Sequence, residues 1–383
     1  MSSLSRVRAW LRMDGQLRPG LGRLTGTLAL ALSVLAVLAV LAFHFPEYLS
    51  TPELRAKYSV PLLRQVLFGV LVVAGTLSLA NLVLGRSRWL NGHALALVTV
   101  AVLAGGHKVS VDDFPDGTPY LGLDWFILDL LGSTLVFVAI EKLFPLYVGQ
   151  PIFRKSWQTD MVHFLVNHLL VGAVLMIVNF AIHHFFGWAV LPGVGTFVQS
   201  QQFWLQLFGI VLVADLVQYW THRAYHEVPY LWRFHAVHHS TEVLDWLAGS
   251  RMHMLELLVT RTAILGPICV LGFSRPVMDA YILVVGFQAV FNHANVSLPW
   301  GFMRHVIVTP DFHHWHHSSD RAAIDRNYAA HFAFLDALFG TKVQSEQAFP
   351  AAYGVVGDFM PEGFVRQQLF PFRKKPEALP PAE

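Results

Sequence analysis

From Thr25 to Phe43 the chain runs without a single charged side chain. A helix needs about 20 mainly apolar residues to cross the hydrocarbon core of a bilayer. Backbone in lipid must satisfy its own hydrogen bonds, so a run of this kind is read as a helix. Comparable runs cover about Gln65 to Leu84, Trp89 to Ala104, Met161 to Ile182 and Phe203 to Trp220. A further run, about Leu121 to Leu146, is less clean, because it holds Asp124, Asp129 and Glu141. Two last runs, about Leu255 to Phe273 and Val277 to Phe291, are interrupted by Gly266-Pro267 and separated by Ser274-Arg275-Pro276. They form either a hairpin that enters and returns or two thin spans. The expected fold is all-α: a polytopic membrane helix bundle with a cytoplasmic histidine-rich helical cap.

Composition agrees with that reading. Charged residues make up 14% of the 383 residues and the mean hydropathy is +0.48. A soluble domain carries roughly 25% charged residues, and this chain has too few to cover a wetted surface. A disordered chain and an ordinary cytosolic enzyme are excluded. Cys269 is the single cysteine, which excludes an intrachain disulfide, a secreted disulfide scaffold and a cysteine metal cage. A formal charge of +2 gives no footprint for nucleic acid. The chain shows no internal repeat and no low-complexity tract.

Arg6, Arg8, Arg12, Arg18 and Arg23 precede the first apolar run, which resembles a signal peptide. That run exceeds the roughly 7–15 residues of a cleavable core, so it is read as a retained span. Basic residues favour the cytoplasm. The N-terminal arginines, Arg86 and Arg88, Arg154 and Lys155, and Arg373 to Lys375 then all fall inside. The acidic loop with Asp112, Asp113 and Asp116 falls outside. The implied location is a bacterial inner membrane or the endoplasmic reticulum.

Histidine is the anomaly. The chain has 20, and thirteen lie between His222 and His331, where an even spread would put about six. Three clusters stand out: His222 with His226; His235 with His238 and His239; and His313 with His316 and His317. Residues three and four apart share a helix face, so each cluster is expected to present its rings to one point. Neutral imidazole is a good ligand for iron, zinc, copper and nickel. The eight rings of these clusters exceed what one first-row ion takes, which implies two ions. The isolated His44, His93, His107, His163, His168, His183 and His184 are read as hydrogen-bonded core or interface residues. Ligand rings need a partner for their second nitrogen. Asp215, two helical turns before His222, and Asp336 are the best candidates, with Glu242, Glu256 and Asp311 behind them. Trp220, Trp232, Trp246, Trp300 and Trp315 are read mainly as an interfacial belt.

These residues resemble a known family. The stretch Asp215 to Ser240, DLVQYWTHRAYHEVPYLWRFHAVHHS, is similar to the fatty acid hydroxylase / sterol desaturase superfamily of membrane di-iron enzymes. So are Thr309 to Ser318, Asn327-Tyr328 and Asp336 to Thr341. The resemblance covers about residues 205–345 and is specific for the superfamily, not for the substrate. It adds His253 and His293 as further ligands, giving ten imidazoles, five per ion. His305, His314 and His331 fall outside the pattern, and His314 is read as structural. The implied organisation is N-terminal transmembrane helices of unassigned role over 1–150, a fatty acid hydroxylase-like di-metal domain over 151–345, and a cytoplasmic tail over 346–383.

What the resemblance implies is oxygen-dependent attack on an unactivated C–H bond of a membrane lipid: fatty acyl, sterol or related. The cofactors are two iron ions, with zinc as a substitute in purified material, and O2 is co-substrate. No cytochrome b5 domain is recognisable, so electrons are expected from a separate cytochrome b5-like protein or a ferredoxin and its reductase. Hydroxylation is favoured over desaturation, which begins with the same hydrogen abstraction. A histidine-rich metal transporter or sensor is the alternative from another class. A zinc hydrolase fits less well, because no H-E-x-x-H occurs, and a bis-histidine haem protein is the weakest option.

Overall fold

The computed structural model describes residues 23–84, 88–111, 120–343, 349–357 and 360–373. Among them there are helices, turns and isolated bridges, but no strand. Arg6, Arg8, Arg12, Arg18, Arg86, Asp112, Asp113, Asp116, Lys374 and Lys375 lie outside the described residues.

Among the described residues, six helices are long and apolar enough to cross a membrane. These are α1 (Arg23–His44), α2 (Val60–Val83), α3 (Arg88–Leu103), α4 (Leu123–Leu143), α7 (Phe203–Glu227) and α9 (Met254–Leu271). Between α4 and α7 lie α5 (Trp157–Leu169) and α6 (Val171–Phe186). They occupy the expected run from Met161 to Ile182, which is therefore not one straight helix. The pair bends by 57° at a short break, as a broken span or a re-entrant loop does. Of the last two runs, the first is α9, which passes Pro267 unbroken, and the second is α10 (Arg275–His293).

The chain divides into two compact units, one of Met1–Leu128 with His168–Gly172, the other of Asp129–Asn167 with Ala173–Glu383. In the first, α1, α2 and α3 pack around Ala36, Val40, Leu67, Leu71, Ala74, Val98 and Ala101. Their buried polar groups pair with each other, as groups shielded from water must. Asn81 Nδ2 donates to Asn91 Oδ1 (3.1 Å) and to Thr25 Oγ1 (3.0 Å). Large apolar side chains face outward, among them Val66, Val72, Leu79, Val100 and Val102. That inversion suits lipid.

The acids that spoil α4 as a span have assigned tasks. Asp124 accepts from the Thr51 backbone and hydroxyl and from the Tyr58 hydroxyl. In the second unit, Glu141 accepts from the backbone N–H of Trp246 and Asn295 (2.8 and 2.9 Å). The core of that unit sets Ile210, Val211 and Ala214 of α7 against Ile264, Ile268, Val277 and Tyr281. A second cluster sets Tyr219 against Phe312, Tyr328 and Leu335. Trp246 and Trp315 are only 6% exposed, so they belong to the interior and not to a belt. Trp220, half-exposed, keeps the interfacial reading.

Candidate metal centre

Helix α7 runs past Trp220 to Glu227 and carries His222 and His226 on its last turns. It stops at Val228, whose extended conformation (φ −100°, ψ 112°) is what a following proline imposes. Pro229 then starts α8 (Pro229–His235), with its fixed φ at the first turn. This corner brings His235 back onto the rings of α7. His238 and His239 follow in a 3-10 turn (His238–Ser240). His293 is the last residue of α10. The distal cluster rides on α11 (Pro310–His316), which also begins at a proline.

Nine buried rings converge in two adjacent groups. Ligand-type nitrogens of His222, His226, His235, His239 and His316 lie within 4.8 Å of one another, and so do those of His238, His293, His313 and His317. Each three-histidine cluster is split, contrary to the expectation that it serves one point. His235 and His239 join one group while His238 joins the other, and His313 and His317 join one while His316 joins the other. The reason is angular. Residues i and i+4 nearly eclipse, but i+3 and i+4 differ by about 100° on a helix. A ring from each cluster therefore crosses to its neighbour's group, and the His239 and His317 rings stack across the boundary with centroids 4.3 Å apart.

The hydrogen bonds fix which nitrogen carries the proton. His222 Nδ1 donates to the Tyr328 carbonyl (2.7 Å), His238 Nδ1 to Arg251 (2.9 Å), His293 Nδ1 to Ala289 (2.8 Å) and His316 Nδ1 to Arg326 (2.8 Å). His235 Nδ1 donates to Glu256 Oε1 (2.6 Å), and His226 Nδ1 to Asp325 Oδ1 (3.1 Å). A neutral ring has one donor and one acceptor, so in all six the Nε2 is a bare lone pair. These lone pairs face one another. Nε2 of His222 and His235 are 2.9 Å apart, and those of His238 and His293 3.2 Å. Nε2 of His226 and His316 is buried with no partner at all.

Protonation does not relieve this. Burial holds His238 down to about 4 and pushes His235, His239, His313, His316 and His317 well below 6.5, with neighbouring rings adding to the effect. What remains is an electrophile. An ion with metal–nitrogen bonds of about 2.0–2.1 Å separates neighbouring ligand nitrogens by roughly 2.9–3.4 Å. The observed spacings match, so the residues present fit a pair of metal ions.

His253 does not join either group. Its Nδ1 accepts from Leu255 N–H (3.1 Å), capping α9, and its Nε2 donates to the Gln368 carbonyl (2.9 Å). Both nitrogens are spent on holding α9 and α12 (Phe364–Leu369) together, which corrects the expectation of a tenth ligand. His314 is fully buried between the Tyr353 hydroxyl and the Ala294 carbonyl.

Asp215 and Asp336 touch no ligand ring, contrary to their expected role. Asp215 accepts from the backbone N–H of Ala330 (2.8 Å) and Phe332 (2.6 Å). Asp336 accepts from Tyr328 and Ala329 (2.8 Å each) and from the Thr341 hydroxyl. Together they suspend a loop with no ladder of its own, as buried backbone N–H groups require. That loop does the orienting, since Asp325, Arg326 and Tyr328 each take one Nδ1 proton of the five-ring group. Asp325 and Asn327 have φ of 57° and 58°, a left-handed conformation that Asp and Asn tolerate better than most. Asn327 pins the turn through Val343 and the Phe312 carbonyl. Of the lesser candidates, Glu256 reaches a ring, while Glu242 pairs with Lys155 at the surface and Asp311 with Thr309. Nothing in the sequence singles out Asp325; it stands two residues before the Asn-Tyr motif, and only the turn delivers it.

Comparison with known proteins gives the same region. Residues 207–341 match the model of the family described as fatty acid hydroxylase. The chain is 29% identical over 268 residues to the ornithine lipid hydroxylase of Rhizobium tropici, covering 66% of this chain and 76% of that protein. It is 30% identical over 137 residues to the alkylglycerol monooxygenase of Homo sapiens, covering 35% of this chain and 30% of that protein. The alkylglycerol monooxygenase of Caenorhabditis elegans is 28% identical over 156 residues, 40% of this chain and 30% of its own length. No solved structure matches the chain. With nine convergent imidazoles inside the matched segment, residues 207–341 are similar in sequence and in site to the fatty acid hydroxylase / sterol desaturase superfamily.

Proposed function

We propose that this oxidoreductase hydroxylates a C–H bond of a membrane lipid, using O2 and two iron ions held by His222, His226, His235, His239 and His316 on one side and His238, His293, His313 and His317 on the other. The observation that carries the reading is the set of bare Nε2 lone pairs facing one another in a buried site. Bound iron supplies the redox chemistry that an unactivated C–H bond demands. One oxygen atom enters the C–H bond and the other leaves as water, with two electrons and two protons from a separate carrier of the cytochrome b5 or ferredoxin type. The chain's own contribution is to hold neutral rings in one tautomer and keep bulk water away from them.

The substrate class is read from the relatives, whose names include an ornithine lipid hydroxylase and alkylglycerol monooxygenases. An acyl or alkyl chain entering sideways from the bilayer meets the ends of α7 and α9, where the site is built. The ligands on α7 occupy its last turns only, which suits an enzyme at a membrane face better than a transporter with ligands along its spans. The distribution of basic residues supports a cytoplasmic reading of that face. Lipid profiling of cells with and without the gene under heavy-isotope oxygen tests the reading: a lipid gaining one labelled oxygen is expected. Unchanged labelling after His238→Ala counts against the ligand assignment.

A further inference from the structure

The two histidine groups are not electrically alike. In the five-ring group two Nδ1 protons are given to carboxylates, His235 to Glu256 and His226 to Asp325. In the four-ring group no ring meets a carboxylate. His238 and His293 give their Nδ1 protons to backbone carbonyls, and Nδ1 of His313 and of His317 is buried without a partner. The charged side chain next to His238 in the chain fold is Arg251, a cation that Asp160 holds at 2.5 Å and neutralises. Glu256 is the stronger of the two carboxylates, being 4% exposed, whereas the Asp325 side chain is 49% exposed and screened by water.

A carboxylate on the far nitrogen of a ligand imidazole raises the basicity of the near one, and losing such a partner typically lowers metal affinity by roughly 10–100-fold. A buried negative charge also offsets that of the ion directly, which a carbonyl dipole does less well. Four ligands in one group against five in the other act in the same direction. Resting on the metal reading above, we infer that the five-ring group is the tight site and the four-ring group the labile one, and that Glu256 is the positioning residue that sets the difference. The chain therefore passes through a one-ion state with the ion between His222 and His316, and the four-ring group is the last to fill and the first to empty.

Full-length protein in detergent, loaded with zinc(II) as a redox-silent probe, is dialysed against graded chelator, and bound metal is counted by mass spectrometry. Two release steps of one ion each are expected. His293→Ala should bind one ion with the midpoint of the resistant step, and His222→Ala should lose the resistant step. Glu256→Gln keeps an acceptor for the His235 proton but removes the charge. It should move the resistant midpoint by 10-fold or more towards the labile one, which itself stays put. Asp325→Asn should move it in the same direction by less, and it decides the matter if Glu256→Gln fails to fold. Release of both ions together from wild type, or an unshifted midpoint in both carboxylate variants, overturns the inference and leaves the metal reading standing. Failure of the wild-type protein to bind any ion overturns the metal reading itself.

Discussion

Gly249 tests how little room the site has. A Cβ built there would lie 2.8 Å from His293 Nδ1, 3.2 Å from its Cγ and 3.3 Å from the Ala289 carbonyl oxygen. Ordinary contact begins near 3.4 Å, so in Gly249→Ala the ring must retreat by roughly 0.6 Å. The neighbour has little freedom to give, because the same Nδ1 donates to Ala289 at 2.8 Å and the Nε2 sits 3.0–3.2 Å from those of His313 and His238. Ligand positions in metal sites tolerate about ±0.2 Å, a third of the forced movement. Overpacking of this kind destabilises by about 1–3 kcal/mol, and a misplacement of about 1 Å costs about 100-fold in rate. Gly249→Ala is therefore expected to lose the ion of the four-ring group and to turn over lipid on the order of 10–100-fold more slowly. Metal content per chain and labelled-oxygen incorporation measure the two effects. Gly286→Ala, on the same helix as His293 but with open space around its Cβ, is the control and should change neither. Two ions and wild-type turnover in Gly249→Ala would refute the claim that His293 is held at ligand distance by the absence of that methyl group.

Replacing His316 by alanine should, as for His238, abolish oxygen-dependent turnover and lower bound metal, while replacing the exposed His183 should do neither; both are read by metal analysis and product formation. His253→Ala should keep two ions per chain but remove one of the three hydrogen bonds that hold Gln368, seen as faster amide exchange over Phe364–Leu369. The metal-free protein should lose stability in acid. Burial holds His238 and His314 near 4 in the folded chain against 6.5 for the free side chain. The unfolded chain then binds more protons between those values, so the contribution is full above about pH 6.5 and drains away as pH falls towards 4. Thermal unfolding of the metal-free protein at a series of pH values checks the sign, and a flat profile between pH 7 and pH 4 goes against it.

The spans were legible because lipid demands one thing, a long uncharged helix, and the sequence states it locally. Even the exceptions carried a message: Asp124 and Glu141 looked wrong for a span because they bond to backbone far away in sequence. Eight of the nine converging histidines were legible by spacing and His293 through the family resemblance, but their division between two groups was not. Spacing along one helix says which rings share a face, whereas the division depends on where the other helices end. His253 shows the limit of motif reading, since its position suits a ligand and only the helix it caps reveals its use. Carboxylate partners were the least legible. Asp215 sits in phase with His222, yet the loop from Tyr328 to Phe332 reaches it first, and backbone donors have no sequence signature.

The direction of the helices explains why neutral ligands suffice. Two divalent ions would bring about four positive charges into a buried site, and the nine imidazoles cancel none of that. With the ions bound, Glu256 and Asp325 would supply two negative charges. The rest comes from the backbone: α7, α8, α10 and α11 all end at the site, with His226, His235, His293 and His316 in their last turns. A helix C-terminus carries roughly −0.5 of a charge. Four such ends amount to roughly −2 at most, and less for the short α8 and α11. Ligands placed at helix C-termini are therefore placed where cations are already favoured. The same arrangement at N-termini would oppose the ions and call for carboxylate ligands instead. It also follows that emptying the site leaves converging negative ends without their counter-charge, at a pH where burial keeps the rings from protonating. Metal removal should thus destabilise the whole second unit and not only its histidines, and a metal-free protein as resistant to heat as the loaded one would show that this balance of charge is not what holds the helix ends together.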